Sequence, residues 1–241
     1  MGVLDGRIAI ITGASSGIGR ATAARYAREG ADVALMARRT ADLEEVATRL
    51  REDGRRVSVY PVDFVDGPAT RRAVEAAASH FGRVDILVHV AGTNLKQRAL
   101  TELAPDDWQM MLDANLSSAY HLTQAVLPPM RQQQGGLIVY VATYAVQRPD
   151  RSGVAYQASK HGLVGLAHGT MEEERGQGIR TSVIFPGLTD TPLLDKRPAP
   201  TPPEIVAQAL QPEDVAEACL FVATLPPRVR VPELQIVPSR L

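Results

Sequence analysis

The fold of this chain is decided by one stretch, Arg7-Ile8-Ala9-Ile10-Ile11-Thr12-Gly13-Ala14-Ser15-Ser16-Gly17-Ile18-Gly19. Its isoleucine-rich beginning predicts a buried strand. A turn with the glycine spacing G-x-x-x-G-x-G follows, and an alanine-rich segment after it predicts a helix. The glycines allow a tight turn, and a helix N-terminus offers free N–H groups to an anion. The order strand, turn and helix therefore predicts a phosphate-binding loop, with a glycine-rich turn that binds no ligand as the alternative.

Six further apolar runs predict the remaining strands of a sheet. They comprise residues 33–36, 57–62, 84–90, 137–141, 181–185 and 234–237. Helical patterns occur between them: Leu43, Val46, Ala47 and Leu50 fall on one helix face. Because strands this apolar are buried on both faces, we predict an α/β fold with a doubly wound, Rossmann-type sheet of seven parallel strands and helices on both faces. We expect one domain over residues 1–241, since α/β sheets of this length often form a single core.

The composition narrows the classes of partner. A net charge of −1 gives no reason to expect nucleic acid or an anionic membrane, and no apolar run approaches the ~20 residues that span a bilayer. The only cysteine, Cys219, cannot form an intrachain disulfide, and its apolar neighbours indicate a core position. We therefore expect a reducing, cytoplasmic location; the alternative is peroxisomal, because Ser239-Arg240-Leu241 resembles a peroxisomal tail. The histidines form no metal-ligand pattern with Cys219, so we predict no metal site.

The residues after the second predicted strand bear on the choice of cofactor. Dinucleotide-binding folds often carry an acidic residue about 20 positions after the glycines, where it holds the ribose 2′-hydroxyl. This chain has Arg38 and Arg39 at that point and no carboxylate. Because guanidinium groups bind a 2′-phosphate that a carboxylate would repel, we predict NADP(H). The alternative is a pair of exposed arginines at a strand end.

A second pattern indicates acid–base chemistry. Tyr156 and Lys160 stand four residues apart in a helical segment and therefore share one helix face. A free phenol has a pKa of ~10, and a nearby ammonium favours the phenolate and lowers that pKa. A tyrosine placed in this way gives a proton to a nascent alkoxide or takes one from an alcohol. Taken alone, such a pair is common and means little.

Together the motifs resemble the short, single-domain branch of the short-chain dehydrogenase/reductase family. The match comprises T-G-x-x-x-G-x-G at Thr12 to Gly19, Asp63, Ala91-Gly92, Asn115, Y-x-x-x-K at Tyr156 to Lys160, and Pro186-Gly187 with Thr191. These motifs stand in the family's order over essentially the whole chain. The resemblance implies an enzyme that transfers a hydride between nicotinamide and a small-molecule carbonyl or secondary alcohol.

The resemblance also implies roles for individual residues. Tyr156 is the acid/base, Lys160 lowers its pKa and binds the nicotinamide ribose, and Asn115 helps hold a proton-relay water. Thr143 stands where the family usually has serine, and it keeps the hydroxyl that would bind the substrate oxygen. The implied cofactor contacts are Gly13, Ser15, Ser16, Gly17, Ile18 and Gly19 in the loop, Arg38 and Arg39 at the 2′-phosphate, Asp63 and Phe64 at the adenine, Ala91, Gly92, Pro186 and Gly187, and Thr191 at the carboxamide.

Two departures from the family pattern keep other functions open. Thr143 can also be read as only a β-branched strand residue, and His89-Val90 stands where the family usually has two asparagines. We interpret His89 as structural, because a lone histidine at a strand end is more often structural than catalytic. The alternative function is a dinucleotide-binding regulator or scaffold with little catalytic activity. Epimerisation or dehydration is a third option, against which the short chain argues, because the relatives with that chemistry are longer.

The segment at about 188–211 is rich in proline, and we predict that it is a substrate lid, with a rigid surface loop as the alternative. Nearby charges give only a weak indication of an anionic or thioester substrate. The basic residues are Lys96, Arg98, Arg148, Arg151, Lys196 and Arg197, and Asp150, Asp190 and Asp195 offset them. The resemblance implies a homotetramer or homodimer that packs through the helix after Asn115 and the helix carrying Tyr156.

Overall fold

Seven strands form one sheet in the computed structural model, which describes residues 2–241. They are β1 (Ile8–Thr12), β2 (Asp32–Ala37), β3 (Val57–Pro61), β4 (Ile86–His89), β5 (Gly136–Val141), β6 (Ile179–Pro186) and β7 (Glu233–Ile236). Their order is β3-β2-β1-β4-β5-β6-β7, and each neighbouring pair is parallel. The predicted doubly wound sheet of seven parallel strands is confirmed.

Helices cover both faces of this sheet. They are α1 (Gly17–Arg28), α2 (Thr40–Glu52), α3 (Gly67–Phe81), α4 (Pro105–Leu112), α5 (Ser118–Gln132), α6 (Val154–Glu173), α7 (Pro203–Val206) and α8 (Pro212–Thr224). A π-helical turn, Asp113–Ser117, joins α4 to α5, and 3-10 turns occupy Tyr144–Val146, Arg175–Gln177 and Pro192–Lys196. Among the helices of residues 2–241, none combines the length and apolar character that crossing a membrane requires.

The side chains of β1 explain why both faces are covered. Ile11 packs in one core cluster with Tyr26 of α1 and Cys219 of α8, whereas Ile10 packs in the other with Val74 of α3. Successive side chains of a strand point to opposite faces, so a strand that is apolar on both faces needs helices on both sides. Cys219 is fully buried and unpaired, as its apolar surroundings predicted.

Strand β4 is shorter than the apolar run 84–90 that predicted it, and side chains take part in the hydrogen bonds at both of its ends. Before the strand, the carboxylate of Asp85 accepts the N–H of Ile8 at 2.9 Å and is only 3% exposed. After the strand, the N–H of Val90 donates to the Oγ1 atom of Thr12 at 3.0 Å. Pairing with the neighbouring strands therefore stops at His89, one residue before Val90.

The proline-rich segment 188–211 is closed at its base by backbone hydrogen bonds. The N–H of Leu210 donates to the carbonyl oxygen of Leu188 at 2.9 Å, and the N–H of Asp190 donates to that of Leu210 at 2.8 Å. The turn Pro192–Lys196 and helix α7 lie between these two points. The segment is thus a folded excursion after β6, and its role as a lid stays a prediction.

Candidate active site

The glycine loop lies at the carboxyl end of β1, where the direction of the strand order reverses between β1 and β4. Such a switch point is where open α/β sheets bind ligands. Gly13 and Gly17 have positive φ angles of 64° and 50°, which side-chain-bearing residues rarely adopt. A Cβ atom at Gly19 would lie 2.3 Å from the carbonyl oxygen of Gly13. The path of the loop therefore depends on glycine at these three positions.

Thr12 connects the glycine loop to the end of β4. Its Oγ1 atom accepts the N–H groups of Val90 and Ala91 at 3.0 and 3.2 Å, and it lies 3.3 Å from Nδ1 of His89. Thr12 is fully buried. It thus holds the Ala91-Gly92 turn beside the loop. The sequence identified Thr12 only as the first residue of the loop motif, and this positioning role was missed.

Tyr156 and Lys160 lie one turn apart on α6, and their side chains share one face of the helix. Both are buried, with 8% and 3% of their surface exposed. The Nζ atom of Lys160 donates to the carbonyl oxygen of Val141 at 3.0 Å and lies 6.0 Å from the centroid of the Tyr156 ring. The end of β5 therefore fixes the position of the Lys160 ammonium relative to the phenol.

Asn115 lies in the π-helical turn and is fully buried. Its Oδ1 atom accepts the N–H of Thr93 at 2.7 Å, and its Nδ2 atom donates to the carbonyl of Thr93 and to Oγ of Ser159, both at 3.1 Å. Oγ of Ser159 in turn donates to the carbonyl oxygen of Tyr156 at 2.8 Å. The chain of bonds ties the segment after β4 to the helix carrying Tyr156. Sequence reasoning missed Ser159, because only this tertiary contact distinguishes it from any other helical serine.

Burial dominates the protonation of the Tyr156–Lys160 pair. It raises the pKa of Tyr156 to about 12, although hydrogen bonding to Thr143 acts in the opposite direction. Burial lowers the pKa of Lys160 to about 8. From the sequence we expected a lowered pKa for Tyr156. In the protein without a bound dinucleotide, the pKa of Tyr156 is raised instead. Loss of water is the largest effect, and the Nζ atom of Lys160 is directed to the carbonyl of Val141.

Thr143 lies at the start of the 3-10 turn that follows β5. Its Oγ1 atom accepts the N–H of Ala145 at 3.3 Å, which fixes the direction of the side chain. The hydroxyl hydrogen stays available for another acceptor, and a side-chain hydrogen bond with Thr143 opposes the rise in the pKa of Tyr156. Both groups can therefore address one oxygen atom.

The predicted adenosine contacts lie at the ends of β2 and β3. Arg38 and Arg39 are both exposed, and Nη2 of Arg39 donates to Oγ of Ser15 in the glycine loop at 3.5 Å. Asp63 is exposed, and its Oδ1 atom accepts the N–H of Val65 at 3.1 Å. Phe64 is only 6% exposed, and its ring packs in the core. Only the backbone of Phe64 is therefore in a position to contact a ligand.

The predicted contacts after β6 lie beside the glycine loop. The N–H of Gly187 donates to the carbonyl oxygen of Ile236 at 2.8 Å, which ties the end of β6 to β7. Thr191 reaches the glycine loop, since a Cβ atom at Gly17 would lie 3.2 Å from its Cγ2 atom. A cavity of about 800 Å³ opens beside Thr191, and its lining includes Lys96 and Arg197. The structure thus brings the predicted residues from six strand ends to one edge of the sheet.

The glycine loop fits the phosphates of a dinucleotide. Ser16 precedes α1 in an extended conformation, and its side chain does not cap the helix. The first N–H groups of α1 are therefore available to an anion, and the helix dipole favours negative charge there. The loop glycines leave no side chain that would block the approach, and the guanidinium group of Arg39, which also pairs with Asp42, contacts Ser15.

His89 is fully buried, and its Nε2 atom has no hydrogen-bond partner within residues 2–241. Burial, with a smaller effect of the charge on Lys160, lowers the pKa of His89 to about 3. The ring is therefore neutral at pH 7. Among residues 2–241 as a whole, no cluster of three or more His, Cys, Asp or Glu side chains could hold a metal ion.

Comparisons with known proteins agree with this architecture. A family profile described as short chain dehydrogenase matches residues 7–201. An uncharacterized oxidoreductase of Staphylococcus aureus (strain USA300) is 32% identical over 238 residues, which are 99% of this chain and 100% of that protein. The match covers the glycine loop, the Tyr156–Lys160 pair and most of the proline-rich segment.

Two solved structures have the same fold over nearly their whole length. An alcohol dehydrogenase from the archaeon Thermococcus sibiricus, complexed with 5-hydroxy-NADP, is 29% identical with a TM-score of 0.88, over 98% of this chain and 97% of that one. Carveol dehydrogenase from Mycobacterium avium, in complex with NAD, is 26% identical with a TM-score of 0.91, over 98% of each chain. The chain therefore belongs to the short-chain dehydrogenase/reductase family. It is an oxidoreductase of that family, as the motifs predicted.

Proposed function

We propose that the protein is an NADP(H)-dependent oxidoreductase that transfers a hydride between nicotinamide and a carbonyl or secondary alcohol. The observation that carries this proposal is the buried Tyr156–Lys160 pair, which hydrogen bonds through Asn115 and Ser159 tie to the segment after β4. The pair lies behind a loop whose glycines and free helix N-terminus suit a pyrophosphate. The related structures that contain an NADP analogue or NAD support a nicotinamide dinucleotide.

The side chains divide the acid–base work. When bound, the dinucleotide would supply or accept the hydride at the substrate carbon. In the direction of reduction, the Tyr156 hydroxyl donates its proton to the substrate oxygen, and in oxidation the phenolate takes the proton back. The Thr143 hydroxyl donates a hydrogen bond to the same oxygen. Lys160 is largely protonated at pH 7, because its pKa is about 8, and its charge favours the phenolate.

The proposed preference for NADP(H) depends on Arg38 and Arg39 at the end of β2. Both are exposed, and Arg39 already contacts the glycine loop through Ser15. A guanidinium group binds a phosphate through two parallel hydrogen bonds. The remaining proposed contacts are the loop residues Gly13, Ser15, Ser16, Gly17, Ile18 and Gly19, Asp63 and the backbone of Phe64, and Ala91, Gly92, Pro186, Gly187 and Thr191.

The substitution Tyr156→Phe tests the acid–base assignment, since it removes only the hydroxyl. We expect turnover to fall by about 1,000-fold, while the Kd for NADPH stays within about threefold, because the ring still fills its place. Tyr60→Phe, on the edge strand β3 and well separated in the strand order from the Tyr156–Lys160 pair, is the control and should keep wild-type turnover. Unchanged turnover in Tyr156→Phe would refute the assignment of Tyr156 as the acid/base.

A regulator or scaffold that binds the dinucleotide with little catalytic activity is the second candidate. Thr143 and the pair His89-Val90 favour it, because both depart from the family pattern. Oxidation of NADPH across a panel of ketones and β-ketoacyl thioesters separates the two functions. Tight NADPH binding without turnover on any member of the panel would favour the regulator.

We further infer a homotetramer or homodimer located in the cytoplasm. Exposed apolar residues on α4 to α6 support the association: Trp108, Tyr120 and Val154 are 38%, 45% and 41% exposed. Light scattering coupled to size-exclusion chromatography measures the mass directly.

The alternative peroxisomal location predicts that deleting Ser239-Arg240-Leu241 releases a fluorescent fusion from that organelle. We also propose that segment 188–211 acts as a substrate lid.

A further inference from the structure

Arg98 connects two segments that flank the candidate active site. Its alkyl chain packs on Gly153, three residues before Tyr156, since a Cβ atom at Gly153 would lie 2.8 Å from that of Arg98. Its Nη1 atom donates to the carbonyl oxygen of Ser152 at 3.4 Å, and Nη2 donates to that of Lys196. The guanidinium group therefore lies between the start of α6 and the proline-rich segment.

The positive charge of Arg98 has no direct partner. No carboxylate of residues 2–241 forms an ion pair with Arg98 or with Arg197. Burial and the like charge of Arg197 lower the pKa of Arg98, and only the charges of Asp150 and Tyr156 oppose this. The Oδ1 atom of Asp150 accepts the N–H of Ser152 at 2.9 Å instead. Two partly buried guanidinium groups thus lie close enough to repel each other.

Arg98 also has unused hydrogen-bond donors. A guanidinium group carries five N–H donors in a rigid fork that matches a carboxylate. Two of the N–H groups of Arg98 donate to backbone carbonyls, and the Nε–H is buried without a partner. Each Nη atom carries a second N–H group, and an anion bound by these two groups would offset the cost of partly burying the charge.

The position of Arg98 relates it to the reacting group. The charge of Arg98 acts on the Tyr156 hydroxyl in the direction that lowers the pKa of the phenol. Lys96 and Arg197 line the cavity beside Thr191, and Arg98 contacts the carbonyl oxygen of Lys196, the residue before Arg197. The carboxylates of that cavity, Asp190, Asp195 and Glu213, are all exposed to water. With Arg20, the cavity lining carries three basic and three acidic side chains, whereas Arg98 has no carboxylate partner and its charge acts on Tyr156.

We propose that Arg98, assisted by Arg197, binds a carboxylate of the substrate, and that the substrates are therefore oxo acids and the corresponding hydroxy acids. The inference rests on the proposed function, because it assigns a substrate class to the same site. The fork of Arg98 orients the substrate so that its carbonyl oxygen meets the hydroxyl groups of Thr143 and Tyr156. A phosphate-bearing ketone is the competing substrate, and a role of Arg98 confined to holding the proline-rich segment is the competing function of the residue.

The test compares each oxo acid with its methyl ester, because the two share a carbon skeleton and differ in charge. We measure kcat/KM with NADPH for 2-, 3- and 4-oxo acids, their methyl esters, and ketones that carry a phosphate. Wild type should prefer at least one acid to its ester by roughly 30-fold, as expected for a bidentate charged hydrogen bond. In Arg98→Gln this preference should fall to about threefold or less, and Arg98→Lys should retain part of it.

Binding provides a second readout that does not depend on turnover. Calorimetric Kd values for the hydroxy acid and its methyl ester should differ by roughly 30-fold in wild type and by little in Arg98→Gln. Arg28→Gln, an exposed arginine at the end of α1, is the matched control and should keep the wild-type preference. Thermal unfolding checks that the Arg98 variants are folded.

The outcomes separate the inference from the function on which it rests. Equal use and equal binding of acids and esters by wild type would overturn the inference and leave the oxidoreductase intact. Equal losses for acid and ester in Arg98→Gln would assign Arg98 to holding the proline-rich segment, and a preference for phosphorylated ketones would overturn the carboxylate assignment. If wild type reduces neither acids nor esters, the proposed function fails for this panel. Arg98-dependent binding of the hydroxy acid would still support the substrate class, and its absence would refute it.

Discussion

The Nζ atom of Lys160 lies 3.3 Å from the point at which a side chain on Gly92 would begin. The Oδ1 atom of Asn115 lies 2.9 Å from the same point. Gly92 therefore leaves the space between β4 and α6 in which the ammonium of Lys160 and the amide of Asn115 both lie. This contact joins the turn after β4 to the acid–base pair, and it makes the absence of a side chain at residue 92 part of the site.

The substitution Gly92→Ala should disable the site without unfolding the protein. The added methyl group must displace Asn115 or Lys160, so we expect kcat to fall at least about tenfold, as small misplacements of catalytic groups do. Gly169→Ala on α6 is the control, because a Cβ atom there meets nothing within 4 Å. It should keep activity and stabilise the helix by up to about 1 kcal/mol. Steady-state kinetics and urea unfolding measure both effects, and wild-type kinetics in Gly92→Ala would contradict the packing described.

The buried ammonium of Lys160 should make folding stability depend on pH. Burial lowers its pKa from 10.5 to about 8, so between these values the unfolded chain binds more protons than the folded one, and stability rises with pH. Lys160→Met removes this titration. From about pH 7.5 to pH 9.5, the free energy of unfolding of wild type should increase relative to that of Lys160→Met by about 2 kcal/mol. Parallel pH profiles of the two proteins would show that the ammonium is well solvated.

The buried ring of His89 should make folding stability depend on pH in the acidic range. Its pKa falls from 6.5 to about 3, so the stability that the neutral ring allows is complete above pH 6.5 and is lost as the pH falls towards 3. Between about pH 7 and pH 5 this loss amounts to about 2 kcal/mol, and His89→Asn should abolish it. Urea unfolding of both proteins at each pH measures the difference. His80→Asn, at an exposed histidine, should retain the wild-type slope, and an unchanged slope in His89→Asn would assign the pH dependence to other groups.

The arginines after β2 should determine the cofactor preference. We expect wild type to bind NADPH at least about tenfold more tightly than NADH, as for a bidentate phosphate contact. Arg38→Asp and Arg39→Asp should each narrow or reverse that ratio, because a carboxylate repels the 2′-phosphate and accepts the 2′-hydroxyl. Arg28→Asp controls for the change of net charge. Fluorescence titration gives the Kd values, and equal affinities of wild type for both nucleotides would refute the proposed NADP(H) preference.

The sequence by itself determined the sheet, the glycine loop and the relation between Tyr156 and Lys160. These features are local: the strands follow from runs of apolar residues, the loop from three closely spaced glycines, and the shared helix face from a spacing of four residues. The predictions from the sequence were weaker where a residue bonds to a partner far away in the chain. The ends of β4 differ from the predicted run because Thr12 and Ile8, far away in the chain, take part in its terminal hydrogen bonds.

Only the tertiary structure decided how the acid–base pair is held and what faces it. Asn115 and Ser159 are 44 positions apart, and Arg98 and Lys196 are 98 apart, so no spacing in the sequence relates them. The raised pKa of Tyr156 is likewise a tertiary property, because burial by residues from several elements sets it. Local patterns specify which backbone forms, since they depend on neighbouring residues. The water that each buried group loses, and the partner that replaces it, depend on the complete packing of the chain.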